Sequence, residues 1–174
     1  MIETLRLRCE PVRIEHAEAM YPVLLDPRIY AYLPERPPPS VDALRKRYEV
    51  LSAGRSLDGR EHWLNWMLFL RATGEAIGYY QATVRPAGCS IAYVINPAFW
   101  RRGYAVEAGR AIIPHLFEQY AIQAVTAEID RRNGASIELA KRLGLSLVRH
   151  DVDSGDDIFE ITRRAWSGEG ASEP

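Results

Sequence analysis

One stretch, residues 91–111, limits what this chain can fold into more than any other: Ile-Ala-Tyr-Val-Ile-Asn-Pro-Ala-Phe-Trp-Arg-Arg-Gly-Tyr-Ala-Val-Glu-Ala-Gly-Arg-Ala. It reads as an apolar strand ending in Tyr93-Val94-Ile95, a break at Asn96-Pro97, a loop, and the first turns of a helix. At the centre of the loop, Arg101-Arg102-Gly103-Tyr104-Ala105 sets two cations, a permissive glycine and two free backbone amides where the helix begins. The first N–H groups of a helix have no partner inside it, and the macrodipole adds partial positive charge there, so an anion is held well at this point. Gly103, having no Cβ, lets a phosphate approach the backbone. For the arginines two readings are open, phosphate ligands and solvated surface charges.

The remaining elements follow from periodicity and punctuation. Residues 4–12 alternate, with Leu5, Leu7 and Cys9 on one face and Arg6, Arg8 and Glu10 on the other, which predicts a half-buried strand. A helix is expected over 15–25 with Pro22 as a kink or boundary, then a short helix capped by Asp26-Pro27. The proline-rich segment 33–39 connects to a helix opened by Ser40. Strands at 63–71, 76–84 and 89–95 form an antiparallel set that feeds the central loop and a helix over 105–120, with Pro114 as a kink. A strand at 124–130, a helix capped at or near Asn133 and stopped at Gly144, and a hairpin of 145–152 with 158–164 complete the pattern. The fold class is α+β, a mixed and mostly antiparallel sheet with helices on both faces.

Charge and composition exclude more than they assign. With 174 residues, 47% of them hydrophobic, the chain is expected to make a single domain over 1–166, and 167–174, which lacks an apolar anchor, a disordered tail. A net charge of −1 gives no global field for nucleic acid or an anionic membrane, so neither is expected as a partner. No apolar run is long enough to cross a bilayer and the N-terminus lacks a signal-peptide core, so a cytoplasmic protein is expected. Cys9 and Cys89 are expected as buried free thiols, and the histidines have no metal-ligand spacing.

The segment Tyr-x-Ile-x-Pro-x-x-Trp-x-x-Gly-Tyr-Ala-x-Glu-Ala resembles the acetyl-CoA pyrophosphate loop of the GNAT superfamily of N-acetyltransferases, in the form of its ribosomal-protein N-terminal (RimJ/RimL-like) branch. Asn133-Gly134-Ala135-Ser136, followed by Leu139, Lys141 and Leu143-Gly144-Leu145, is similar to a second segment of that branch. The resemblance implies a splayed sheet of about seven strands. It also implies acetyl-CoA as cosubstrate, transfer of the acetyl group by direct attack of a primary amine in a ternary complex, and frequent homodimers. The acceptor would be a protein N-terminus or a small-molecule amine.

Carried over residue by residue, the resemblance assigns the pantetheine amides to Val94 and Ile95. The pyrophosphate falls to Arg102, Gly103, Tyr104, Ala105 and Val106, with charge added by Arg101 and Arg102. Asn133 either contacts the pantetheine or caps its helix. Ser136 matches the position proposed to protonate the departing thiolate, with back-bonding to its own helix as the other reading. The tyrosine that other members use as acid falls at Ala140, and the strand glutamate of many relatives is Ser90 here. Asp151, His150 and Glu61 then become substitutes for the base, with a water chain as the other route; Asp151 follows the strand that flanks the opening, and a solvated charge at a hairpin edge is its other reading. Tyr30, Tyr32 and Arg36 lie in the region that borders the acceptor site in the family. The alternative function is a noncatalytic CoA-binding sensor or regulatory module.

Overall fold

In a computed structural model, residues 1–86 and 88–168 are described. The expected tail lies for the most part outside them; Ser167 and Gly168 form a turn after the last helix. Eight strands make one sheet: β1 Ile2–Glu3, β2 Leu7–Pro11, β3 His62–Leu70, β4 Ala76–Arg85, β5 Gly88–Ile95, β6 Ala124–Asp130, β7 Ser146–His150 and β8 Asp156–Thr162, in the order β1-β2-β3-β4-β5-β6-β8-β7. The helices are α1 His16–Leu24, α2 Val41–Ser52, α3 Tyr104–Gln119, α4 Gly134–Arg142 and the short α5 Arg163–Trp166. Short 3-10 turns stand at Pro27–Tyr30 and Pro97–Phe99.

The strand expected over residues 4–12 begins only at Leu7, and the extra strand, β1, lies ahead of it. The Leu7 N–H donates to the Thr4 hydroxyl (3.0 Å) and the Thr4 N–H to the Leu7 carbonyl (2.9 Å), so the chain reverses and β1 pairs back on β2. Leu5 sits on that reversal and points to solvent, 85% exposed, whereas Leu7 and Cys9 are buried as expected. The helix caps match their sequence signals: Ser40 accepts from the Ala43 N–H, Asp26 from Arg28 and Asn133 from Ser136. α1 and α3 both continue through their prolines, Pro22 and Pro114.

Two apolar clusters lie on opposite faces of the sheet. On one face α3 and α4 pack Val106, Ile112, Leu116 and Leu143 against Leu68, Tyr80, Val125, Ile129 and Phe159. On the other, α1 and α2 pack Met20, Leu24, Leu44 and Tyr48 against Met67, Phe69 and Val94. No buried residue of β6, β7 or β8 joins this second cluster, so the second face is covered only as far as β5.

The sheet opens at its middle. Every strand pair is antiparallel except β5 with β6, which run parallel and meet only at Cys89↔Val125 and Ser90↔Thr126. Beyond Ser90, β5 continues to Ile95 against β4 alone, and β6 continues to Asp130 against β8 alone. Gly78 makes the β4–β5 side of the opening close: a Cβ there would lie 2.0 Å from the Val94 carbonyl oxygen. The loop that follows β5 therefore starts from a strand held tightly on one edge and free on the other.

Candidate active site

Backbone geometry shapes the loop between β5 and α3 for an anion. Gly103 is the N-cap of α3 with φ +80°, a left-handed conformation, and no side chain caps the helix. The first intrahelical bond runs from the Glu107 N–H to the Gly103 carbonyl (3.0 Å), so the amides of Tyr104, Ala105 and Val106 have no partner within the helix. Arg101 also takes a positive φ, +60°. Arg101 and Arg102 are exposed and make no ion pair among the described residues; the Arg102 guanidinium lies 5.5 Å from the centre of the Phe99 ring. Upstream, Asn96 caps the 3-10 turn and donates to the Val23 carbonyl (3.0 Å), tying the loop to α1. The Trp100 indole donates to the Ile95 carbonyl (2.7 Å).

Arg6, which no sequence signal singled out, braces this loop from a distant part of the chain. Its guanidinium donates to the Arg102 carbonyl (3.0 Å), pairs with Glu107 (2.6 Å) and lies over the Tyr104 ring at 4.5 Å. Glu107 also accepts from the Thr4 hydroxyl (2.6 Å) and the Arg6 amide (2.8 Å). Burial alone would raise the Glu107 carboxyl, but these three donors outweigh it and hold the group below the ordinary carboxylate range. The one carboxylate in the first turn of α3 is thus paired by Thr4 and Arg6 of the turn between β1 and β2.

Across the opening, Tyr93 of β5 donates to the Ser136 carbonyl at the start of α4 (3.2 Å). Burial pushes its phenol up to about 12, so it stays a donor at neutral pH. Asn133 uses its side-chain oxygen to cap α4, accepting from the Ser136 amide (3.1 Å). The Ser136 hydroxyl, by contrast, makes no back-bond to its helix and has no partner among the described residues. On the opposite face a cavity of about 30 Å³ lies under α2 and the 3-10 turn, lined by Tyr30, Tyr48, Asn65, Tyr79 and Gln81 among others. Tyr48 is 3% exposed and its hydroxyl has no hydrogen-bond partner among the described residues.

The comparisons with known proteins agree with this arrangement. The family model described as "Acetyltransferase (GNAT) domain" matches residues 6–146. The chain belongs to the GNAT acetyltransferase family. With that membership it is an acetyl-CoA-dependent N-acetyltransferase. Among curated proteins, an FsC-acetyl coenzyme A-N(2)-transacetylase of Aspergillus fumigatus is 24% identical, over 95% of this chain and 77% of its own length. Among solved structures, RimL, a ribosomal L7/L12 alpha-N-protein acetyltransferase in complex with coenzyme A, superposes with a TM-score of 0.78 at 17% identity, covering 91% of this chain and 95% of that one. The aminoglycoside acetyltransferase AAC(6')-Ib in complex with coenzyme A reaches 0.72 at 19% identity, covering 93% and 96%. At these identities the structural likeness establishes the fold, a splayed α+β sheet with helices on both faces.

Within this GNAT fold the expected site residues divide. Gly103 to Val106, Arg101 and Arg102 line the start of α3, Val94 and Ile95 end the strand that borders the opening, and Asn133 and Ser136 start α4 beside it. Val94 and Ile95 are 7% and 9% exposed, so their backbones are what they can offer a ligand. Asp151 is not brought to β5. It closes the β7–β8 turn, accepting from the amides of Asp153 (3.0 Å) and Ser154 (3.3 Å), with β6 standing between its hairpin and β5. His150 is held 2.6 Å from the buried Asp157 in the same hairpin. Glu61 lies at the other end of the sheet, where the Trp63 indole and the Arg85 guanidinium hold its carboxyl below the usual range. Both cysteines are buried and free. Among the described residues no helix is long and apolar enough to cross a membrane, and no group of three or more His, Cys, Asp or Glu is placed to hold a metal.

Proposed function

We propose that the protein acetylates a primary amine, a protein N-terminus or a small-molecule amine, by direct attack on acetyl-CoA in a ternary complex. The observation that carries this is the uncapped start of α3 standing beside the opening between β5 and β6. Tyr104, Ala105 and Val106 would offer backbone amides to the pyrophosphate, with Arg101 and Arg102 adding charge. The free edge of Val94 and Ile95 would receive the pantetheine amides, and Asn133 would close the far side of that arm. The hydroxyl of Ser136, free of its helix, supports a role in protonating the departing thiolate, where charge develops only as the C–S bond breaks. RimL, by name a ribosomal L7/L12 alpha-N-protein acetyltransferase, and AAC(6')-Ib, by name an aminoglycoside acetyltransferase, both share the fold, so the ribosomal-protein branch is one of several acceptor classes. The domain is taken to span residues 1–166 and to act in the cytoplasm.

Calorimetry with acetyl-CoA on the wild type beside Gly103→Glu tests the reading, followed by thiol release with pooled small amines and N-terminal peptides. Binding that the variant loses, with thiol released by one pool, is the expected result. Binding with no turnover on any pool would favour the sensor, and absence of binding would remove the cosubstrate assignment.

A further inference from the structure

The reaction needs a group to take the proton of the acceptor amine, and β5 carries none: its polar position is Ser90, whose hydroxyl accepts from Arg85 (3.1 Å). The register of the sheet points to a replacement on the facing strand. Cys89 and Val125 are partners and both are buried in the cluster under α3 and α4. Side chains alternate along a strand, so the adjacent pair Ser90 and Thr126 faces the opposite way, toward the side that α1 and α2 cover only in part. Two residues further on, Ala92 and Glu128 face the same side, one on each bank of the opening, at the point where the strands have just parted. Ala127 and Ile129, which flank Glu128, are buried in the first cluster, which fixes the direction of Glu128.

On the β5 bank the same rung runs back through the sheet. Ala92 pairs with Gln81, and Gln81 pairs with Asn65; both of these polar residues line the cavity under α2. Ala92 is exposed, so the rung opens to solvent where it meets the gap. Glu128 is exposed and makes no hydrogen bond or ion pair among the described residues. The other charged groups on its face are occupied or further off: Asp130 is paired with Arg132 (2.6 Å), while Asp156, Glu160 and Arg149 stand on β8 and β7, beyond β6 from the opening.

We propose that Glu128 is the general base of this enzyme and that the acceptor lies along the rung Asn65–Gln81–Ala92, its amine in the gap between Ala92 and Glu128. The inference rests on the acetyltransferase reading above and adds to it the group that accepts the proton. The ammonium form of the acceptor gives one proton to the Glu128 carboxylate. The freed lone pair forms the C–N bond to the thioester carbonyl carbon, and the C–S bond breaks with its electron pair going to sulfur. The second nitrogen proton leaves as the amide forms and is balanced by protonation of the thiolate, and Glu128 releases its proton to water.

The test compares wild type, Glu128→Gln, Glu128→Asp and Asp151→Asn with the acceptor pool that the wild type turns over. Acetyl-CoA affinity, kcat and KM are measured for each. Glu128→Gln should keep acetyl-CoA affinity within about twofold while losing kcat by about 100-fold or more, the scale of general-base catalysis. Glu128→Asp should recover a partial rate, and Asp151→Asn should leave kcat unchanged. A Glu128→Gln enzyme with kcat within about threefold of wild type would overturn the assignment, as would a loss of kcat in Asp151→Asn as large as the one expected for Glu128→Gln. Failure of the wild type to bind acetyl-CoA would strike the underlying function instead, a result the affinity measurement separates from the base assignment.

Discussion

Replacing Arg6 with Ala should weaken acetyl-CoA binding although Arg6 is an N-terminal residue, outside the segments that resemble a cofactor loop. The substitution removes the guanidinium from Glu107 (2.6 Å) and from the Arg102 carbonyl (3.0 Å). Glu107 keeps its bonds from Thr4 and the residue 6 amide, so the carboxylate stays in place and its charge is uncovered one turn into α3. One turn is about 5.4 Å of rise, so the distance to a phosphate at the helix start is about 8 Å. At an effective dielectric of about 20 a pair of unit charges at that distance repels by about 2 kcal/mol, which screening at physiological salt reduces to about 0.8 kcal/mol. Two phosphate charges give about 1.5 kcal/mol, or about tenfold in Kd, growing to about 200-fold at an ionic strength of about 0.01 M. Calorimetry at two ionic strengths reads this directly. Adding Glu107→Gln, which keeps an acceptor for Thr4 without the charge, should recover most of the affinity. An Arg6→Ala variant that binds within twofold of wild type, or a double variant that recovers nothing, would refute the electrostatic account.

Gly78→Ala would place a Cβ 2.0 Å from the Val94 carbonyl oxygen, and the atoms it meets are backbone, so relief requires the strands to move apart. The expected cost is about 3 kcal/mol, seen as a fall in urea midpoint and in acetyl-CoA affinity together, because the shifted strand is the one that ends at the loop. Burial pushes the Cys9 and Cys89 thiols up to about 12, so at pH 8 neither should react with a thiol reagent at an appreciable rate until denaturant is added; mass spectrometry of the treated native protein checks this.

What could be read from the sequence was local. Ser40, Asp26 and Asn133 announce their caps, and Gly103 its left-handed turn, because each of those geometries is set within about three residues by the chain itself. The N-terminal strand was misread for the same reason. The alternation of Leu5, Leu7 and Cys9 is real, but the Thr4 hydroxyl turns the chain at that point and leaves Leu5 outside. Arg6 with Glu107, and Tyr93 with Ser136, are contacts between residues far apart in the chain that no periodicity encodes. The choice of Asp151 as base depended on its place after a strand; the structure gives its carboxylate a turn to close. Glu128 stood in an ordinary alternating strand and gained meaning only when the pairing Ser90↔Thr126 set which bank of the gap it occupies.

The end of β5 sits between the two apolar clusters: Val94 belongs to the one under α1 and α2, and the next residue, Ile95, to the one under α3 and α4. On the proposed reading, substitutions that reshape the α1–α2 side would therefore change which molecules are accepted while the α3–α4 side went on holding the same donor, and those two residues would be the seam where that tolerance ends.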